Sequence, residues 1–279
     1  IKKIGNTFVN DGYFDLESVY GYGGYYTNSY DNFFIKKAMD AYQLECEKEN
    51  IIAEFIRFHP FNDFLKKGQK YLDFNRYDRD VVVVDLSNDI FTQYSKKVRN
   101  TINRAIEKVV VRESKNIKLF IDIYIQTMKK NNAESFYFFN EFYFTSLLKV
   151  KSLKLYEVVL EDKVIAMGFF MFSENFCHYH LSANIEDSYQ ENANYALLNN
   201  LFHIAKNEGK QFFILGGGVS SNNNDSLLKF KKKFSKQTLP FHISGKIFNK
   251  CIFEKYNEIW KEQSICEANF FLKYRLKIS

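Results

Sequence analysis

The sequence predicts a mixed α+β protein of two tightly packed domains, each a mixed, largely antiparallel sheet flanked by helices, with the first domain shortened at its N-terminus. Three observations lead there. The 279 residues are enough for two cores, each formed by roughly 100 to 150 residues. Apolar segments of strand length alternate with amphipathic segments of helical period along the chain. Only two prolines, Pro60 and Pro240, interrupt it, and no Ser/Gly-rich linker loosens it. The expected domains span 1–112 and 113–279.

The elements follow in order. A glycine-rich turn at 21–24 precedes a helix at 32–50 and an apolar strand at 51–58, which Pro60 ends. The run Val81-Val82-Val83-Val84 is strongly β-prone. Residues 89–111 read as one long amphipathic helix, with Ile90, Tyr94, Val98, Ile102, Ala105, Ile106 and Val109 on its stripe. Helices at 117–131 and 140–150 come next, then strands at 153–160, 163–172 and 176–183. A turn centred on Asp162 makes the first two strands a hairpin. The remaining order is helix 192–207, strand 211–215, a short lysine-bearing helix, strand 241–248 and a terminal helix from Lys250.

Bulk properties restrict the function classes. The net charge of +6 favours a phosphate-bearing partner, although a Lys-, Asn- and Ile-rich composition can equally follow from codon bias. DNA is not expected as a partner. Cys46, Cys177, Cys251 and Cys266 are scattered without a CxxC pair, which argues against a zinc site or a disulfide framework and for a reducing, cytoplasmic compartment. No apolar run approaches the roughly 18 residues of a membrane span, and no leader peptide is visible.

The stretch Leu215-Gly216-Gly217-Gly218, then Asp225, then Phe230-Lys231, reads as an anion site. Three glycines after a strand bare the backbone, and Asp225 and its neighbours offer a helix N-cap. At 100° per residue Leu227, Leu228, Phe230 and Phe234 form one apolar face, with Lys231 in its middle. A lysine directed at a core is costly unless it is paired or lines a cleft. The alternative is a lysine that snorkels from a short, wet helix. His178, His180 and Ser182 alternate on one strand and are expected on one side of it. His180 is a candidate base and the pair a candidate packing feature; no carboxylate or cysteine completes a metal set. Arg57 and His59 share a strand face, where Arg57 is a candidate for an interdomain salt bridge. Tyr22 and Gly23 lie in the glycine-rich turn, a loop over a ligand or an ordinary tight turn.

The order from residue 117 onward, helix, helix, three antiparallel strands, helix, strand, helix, strand, is that of the GNAT acyltransferase domain, and the first half repeats its later part. Gly21-Tyr22-Gly23-Gly24, Arg57-Phe58-His59-Pro60, the basic helix around Arg99 and Arg104, Tyr124 to Met128 with Phe136-Tyr137-Phe138, and Leu215 to Phe234 occur in the order of family landmarks. On these the chain resembles the Fem-like transferases, a two-domain branch of the GNAT superfamily.

That resemblance implies acyl transfer from a CoA thioester or an aminoacyl-tRNA ester to an amine. It implies that Lys231, in the Phe230-Lys231 pair, stabilises the developing oxyanion or holds a carrier phosphate, and that Gly216, Gly217 and Gly218 add backbone N–H groups. The pyrophosphate loop of GNAT domains corresponds to Gln190, Asn192 and Asn194. Here Ala193 and Tyr195 replace the small glycine positions, so the loop departs from the family pattern; the alternative is that Asn192 or Asn194 caps the helix. Tyr22, Gly23, Arg57, His59, Asp225 and Phe230 are the candidate acceptor-binding residues. The expected protein is a cytoplasmic N-acyltransferase using an acyl-CoA such as acetyl-CoA, with no metal. Its acceptor would be an amine on a sugar or a lipid-linked cell-envelope precursor, met where the domains join, with peripheral association at the inner membrane surface. The alternatives are an aminoacyl-tRNA-dependent peptidyltransferase acting on a peptidoglycan precursor and a non-catalytic binding protein for a phosphorylated sugar or envelope lipid.

Overall fold

The structure is a computed structural model that describes residues 1–185, 192–222, 224–265 and 267–278. In chain order the elements are β1 (Lys3–Ile4), β2 (Thr7–Phe8), β3 (Phe14–Glu17), α1 (Asn32–Lys48), β4 (Ile51–Arg57), α2 (Leu65–Gly68), β5 (Phe74–Asp85), α3 (Lys96–Ile106), β6 (Val110–Ser114), α4 (Ile117–Lys130) and α5 (Glu141–Leu147). They continue as β7 (Leu153–Leu160), β8 (Lys163–Phe172), β9 (Phe176–Asn184), α6 (Ala193–Asn207), β10 (Phe212–Gly216), α7 (Ser226–Lys231), β11 (Thr238–Ile247) and α8 (Lys250–Lys261). The class is the expected mixed α+β.

Two compact units form, Ile1–Arg79 with Pro240–Ser279, and Asp80–Leu239. This differs from a division at 112/113, for two reasons. Val98, Ile102 and Ala105 of α3 belong to the second unit's core, and the chain after β11 returns to the first unit. There α8 packs on β4 and β1, Tyr256, Trp260 and Tyr274 are buried, and Arg275 forms an ion pair with Asp15.

In the second unit the strand order is β5-β10-β9-β8-β7-β6. All pairs are antiparallel except β9 with β10. One sheet face packs on α3 and α6 through Val98, Ile102, Leu197, Leu201 and Phe202. The other packs on α4 and α5 through Phe120, Tyr124 and Phe144. The β7–β8 hairpin closes over Glu161 and Asp162, both left-handed, at φ 45° and 64°, as a two-residue turn with the sheet's twist requires.

The long helix at 89–111 does not form as one piece. A 3-10 turn covers Phe91–Gln93, Tyr94 is extended, and Ser95 starts α3 by accepting a hydrogen bond from Val98 N. A serine at this point offers a cap that a continuous helix would bury. The β-branched run Val109-Val110-Val111 then favours a strand, and β6 pairs with β7. The apolar stripe survives all the same: Ile90, Tyr94, Val98, Ile102, Ala105 and Val109 are buried. Ile106, expected on that stripe, is exposed.

The first unit orders its strands β3-β4-β11-β5. Asp31 caps α1 by accepting from Phe34 N at 2.7 Å, and α1 buries Ile35 and Met39 against Ile56, Phe58 and Phe64. The short β1, β2 and β3 are too brief to give a period, and sequence patterning does not show them.

Phe202 is fully buried in the second unit and meets Phe213 edge-on at 4.7 Å between ring centroids. Phe202→Ala is expected to lower unfolding free energy by about 3–5 kcal/mol, read from urea denaturation.

Candidate functional site

The segment that carries Lys231 lies in the second unit. Strand β10 ends at Gly216, whose φ of 82° turns the chain out of the sheet. The next carbonyl, of Gly217, accepts a hydrogen bond from Lys231 Nζ at 2.7 Å. Lys231 is only 7% exposed, whereas Lys229, Lys232 and Lys233 are all exposed. The lysine is therefore buried as helical facing predicts, and the snorkelling alternative falls away. Leu227, expected on the same apolar face, is instead exposed, because six residues of helix cover little sheet.

Asp225 organises the turn. Its Oδ1 accepts from Leu228 N at 2.9 Å and so caps α7. Its Oδ2 accepts from Val219 N at 3.0 Å, Ser220 N at 3.1 Å and Ser220 Oγ at 3.3 Å. Burial works against its charge, but the bonds from Leu228, Ser220 and Val219 outweigh burial and hold the carboxyl below its usual range. Gly218 is required beside it, since a Cβ there would lie 2.5 Å from the Asp225 carboxyl. Both oxygens of Asp225 thus serve the loop.

Phe230 is half-buried and lies edge-on to Tyr195, 5.4 Å between centroids. Lys233 Nζ bonds the Tyr195 hydroxyl at 2.9 Å. Tyr195 therefore ties the first turn of α6 to α7 and the residues that follow it. Asn192 precedes α6 in the left-handed region, φ 53°, and its side chain makes no cap bond, so the simple capping alternative for it does not hold. Asn194 Oδ1 is buried without a hydrogen-bond partner. Gln190 lies outside the described residues.

His180 sits where β9 is irregular. Phe169 pairs with Leu181 but Phe170 pairs with Tyr179, leaving His180 as the extra residue of a bulge. The bulge changes which residues share a face. Cys177 and Tyr179 contribute to the core under α3 and α6, but Leu181 and Ala183 to the core under α4 and α5. Ser182 consequently joins Tyr179, whose hydroxyl donates to it, and is not on the side of His178 and His180 as strict alternation predicts. His180 Nε2 lies 3.0 Å from the Tyr143 hydroxyl, and burial lowers its pKa from 6.5 to about 4. It is a neutral imidazole at pH 7. Tyr143 was not singled out from the sequence; only the bulge brings α5 to this histidine.

The ladder between the parallel strands runs from the Phe212/Phe176 pair to Ile214/His178 and stops, although both strands continue. Two residues past that last pair stand Gly216 in β10 and His180 in β9. The β10–β5 register also shifts between Ile214 and Gly216. Residues 216–218 and Lys231 thus stand at the C-terminal end of β10, and the bulge of β9 lies just past the last pair of the parallel ladder.

The other candidates lie in the first unit. Gly23 N donates to Arg57 O at 2.7 Å, and His59 N to Gly23 O at 2.9 Å, so the glycine-rich turn lies alongside the end of β4. A Cβ at Gly24, φ 99°, would meet the Phe58 ring at 2.4 Å. Tyr22 packs edge-on against His59 and Phe241, and burial raises its pKa. Arg57 pairs with Glu17 at 2.6 Å and donates to Ser18 O at 3.1 Å. Glu17 belongs to the same unit, so the salt bridge is internal to it, not interdomain. His59 is 8% exposed, its Nδ1 accepts from Phe61 N at 3.2 Å, and burial lowers its pKa to about 4.

No model of a known protein family and no curated protein matches the chain. Solved structures do. One is FemX, with a TM-score of 0.65 at 12% identity over 81% of this chain and 79% of that one. The chain has a Fem-like fold. A putative lysylphosphatidylglycerol synthetase C-terminal domain from Agrobacterium fabrum aligns with a TM-score of 0.51 at 15% identity, covering 77% and 74%. L-PGS from Bacillus licheniformis aligns at 0.51 and 17% identity, covering 77% and 73%. The Fem-like fold is the one the element order and landmarks suggested.

Two outcomes are expected. Asp225→Ala removes a cap and a loop anchor together, costing about 1–2 kcal/mol, with faster amide exchange at Val219 and Ser220. His59 has a folded pKa below its unfolded one, so its contribution is whole above pH 6.5 and declines as pH falls towards 4, by up to about 3 kcal/mol. Melts across that range should show the decline, and His59→Asn, which keeps an acceptor for Phe61 N, should reduce it by the His59 share while the share of His180 remains.

Proposed function

We propose that the protein is an N-acyltransferase that moves an acyl group from an activated carrier, of acyl-CoA type, to an amine on a sugar or cell-envelope precursor. The observation that carries the reading is Lys231: a buried ammonium held on the Gly217 carbonyl, beyond the last pair of the parallel β9–β10 ladder. Acyl transfer passes through a tetrahedral intermediate whose oxygen becomes negative, and a fixed cation in a partly dry site is worth most at that step. The neutral amine attacks the carrier's carbonyl carbon, the carbonyl π-electrons move to oxygen beside Lys231, and collapse expels the carrier thiolate. The amine proton leaves to water, to the departing group or to His180, which is neutral at pH 7 but only a weak base. Backbone groups at the open strand ends offer hydrogen bonds to an extended carrier. The nucleophile belongs to the substrate.

The likeness to FemX and to two lysylphosphatidylglycerol synthetase structures supports a second reading within the same chemistry. There the acyl group is aminoacyl, delivered from tRNA to a peptidoglycan precursor. Tyr195 at the first turn of α6, where a carrier pyrophosphate would need small residues, favours that reading over an ordinary CoA mode.

The test supplies acetyl-CoA or charged tRNA with a panel of amino sugars and muropeptides and follows acyl product by mass spectrometry. Lys231→Met, with folding verified by circular dichroism, is expected to lose about 100-fold or more in rate. Transfer at the parental rate would remove Lys231 from the chemistry. Binding of a carrier or sugar without product under any pairing would point to a non-catalytic binding protein.

A further inference from the structure

A second charged side chain stands where a core residue belongs, in the first unit and apart from Lys231. Glu54 is central in β4, on the same strand face as Ile52 and Ile56, both fully buried. That face looks towards α1, whose Ile35 and Met39 pack against Ile56. The Tyr25 and Tyr42 hydroxyls both donate to one carboxylate oxygen, Oε2, the latter at 2.9 Å. Neither reaches Oε1.

Among the described residues no cation pairs with this carboxylate. Lys246 stands directly opposite on β11, but its Nζ is taken up by Asp73 at 3.5 Å, and Glu54 forms no ion pair among the described residues. Burial raises its pKa against the lowering effect of the two tyrosine bonds. Two neutral donors on one oxygen stabilise a negative charge without cancelling it.

The carboxylate is part of the wall of a cavity of about 810 Å³. Its other walls are largely aromatic and aliphatic: Tyr25 and Tyr26 from the loop after Gly24, Phe34 and Tyr42 from α1, and Phe64. Tyr25 is fixed edge-on to Tyr42, Phe58 and Phe64, with centroid separations of 5.7, 6.1 and 5.1 Å. Tyr26 and Phe34 are exposed, so the cavity opens to solvent. Aromatic faces attract cations, and the attraction strengthens where water is excluded. A lone carboxylate in such a wall selects the sign of charge; the apolar remainder selects a ligand with a hydrocarbon part.

We propose that this cavity binds a small organic ammonium ion, an amine or quaternary ammonium on an apolar chain, with Glu54 as counter-ion and Tyr25 and Tyr42 holding the carboxylate in place. No covalent step is involved, and acyl transfer at Lys231 is not required for it. A purely structural Tyr-Glu-Tyr cluster would show no such ligand preference.

Calorimetric titration of the whole protein with pentyltrimethylammonium, pentylammonium and pentanol at neutral pH tests this. The two cations should bind at least about tenfold more tightly than the alcohol. Glu54→Gln keeps an oxygen for the tyrosine hydroxyls and should bring the cations to the level of the alcohol. Should that variant fail to fold, the parent protein still decides: cation affinity must fall as acid protonates Glu54, while pentanol affinity stays level. Equal binding of alcohol and cation, unchanged affinity in folded Glu54→Gln, pH-independent cation binding, or no binding of either cation at millimolar concentration would each overturn the assignment.

Discussion

The parallel ladder between β9 and β10 ends at His178 and Ile214, and the candidate site in the second unit depends on that ending. β10 is hydrogen-bonded on both sides, parallel to β9 and antiparallel to β5. At the level where the parallel pairing stops, β9 gains an extra residue against β8 and the β10–β5 register shifts. Bulges bend a strand and increase its twist. Here they coincide with the point where the β9–β10 pairing stops, so backbone that would continue the parallel ladder leaves it. Gly216 takes the chain out of the sheet at this level, and Lys231 is held there by the carbonyl that follows.

Burying an ammonium or a carboxylate costs several kcal/mol unless hydrogen bonds or an opposite charge offset it. The fold meets that requirement differently at its two misplaced charges. Lys231 bonds a backbone carbonyl, which satisfies a proton and leaves the charge in place. Glu54 accepts two hydroxyls on one oxygen, with the same result for the opposite sign. The two tyrosine bonds do not cancel the charge of Glu54, and a charge retained in a partly dry wall is available to a ligand. Asp225 is the contrast: its oxygens take four donors from its own loop and cap, and its charge is absorbed by the turn it closes.

Legibility in the sequence varied with the range of the cause. Strands at 153–160 and 163–172 appear where alternation and the Asp162 turn place them, because hairpins are local. Lys231 was identified by facing alone, since helical period and an apolar stripe are also local. The same reasoning applied to Ile51-Ile52-Ala53-Glu54-Phe55-Ile56 would have singled out Glu54, a charge inside an apolar strand. The helix expected at 89–111 broke because the apolar stripe is blind to a capping serine and to a β-branched run whose partner, β7, lies more than forty residues away.

The type and order of the elements from residue 117 onward, the Fem-like landmarks and the burial of Lys231 were determined by the sequence itself, for each rests on period, turn chemistry or spacing within a few residues. Tertiary structure decided the rest. It returned the chain after β11 to the first unit, paired Arg57 with Glu17, and aimed Ser182 away from His180 through a one-residue bulge. It also brought Tyr25 and Tyr42 onto a single oxygen of Glu54. Each of these depends on which distant segments meet and in what register, and strand pairing shifted by one residue reverses every side chain beyond it.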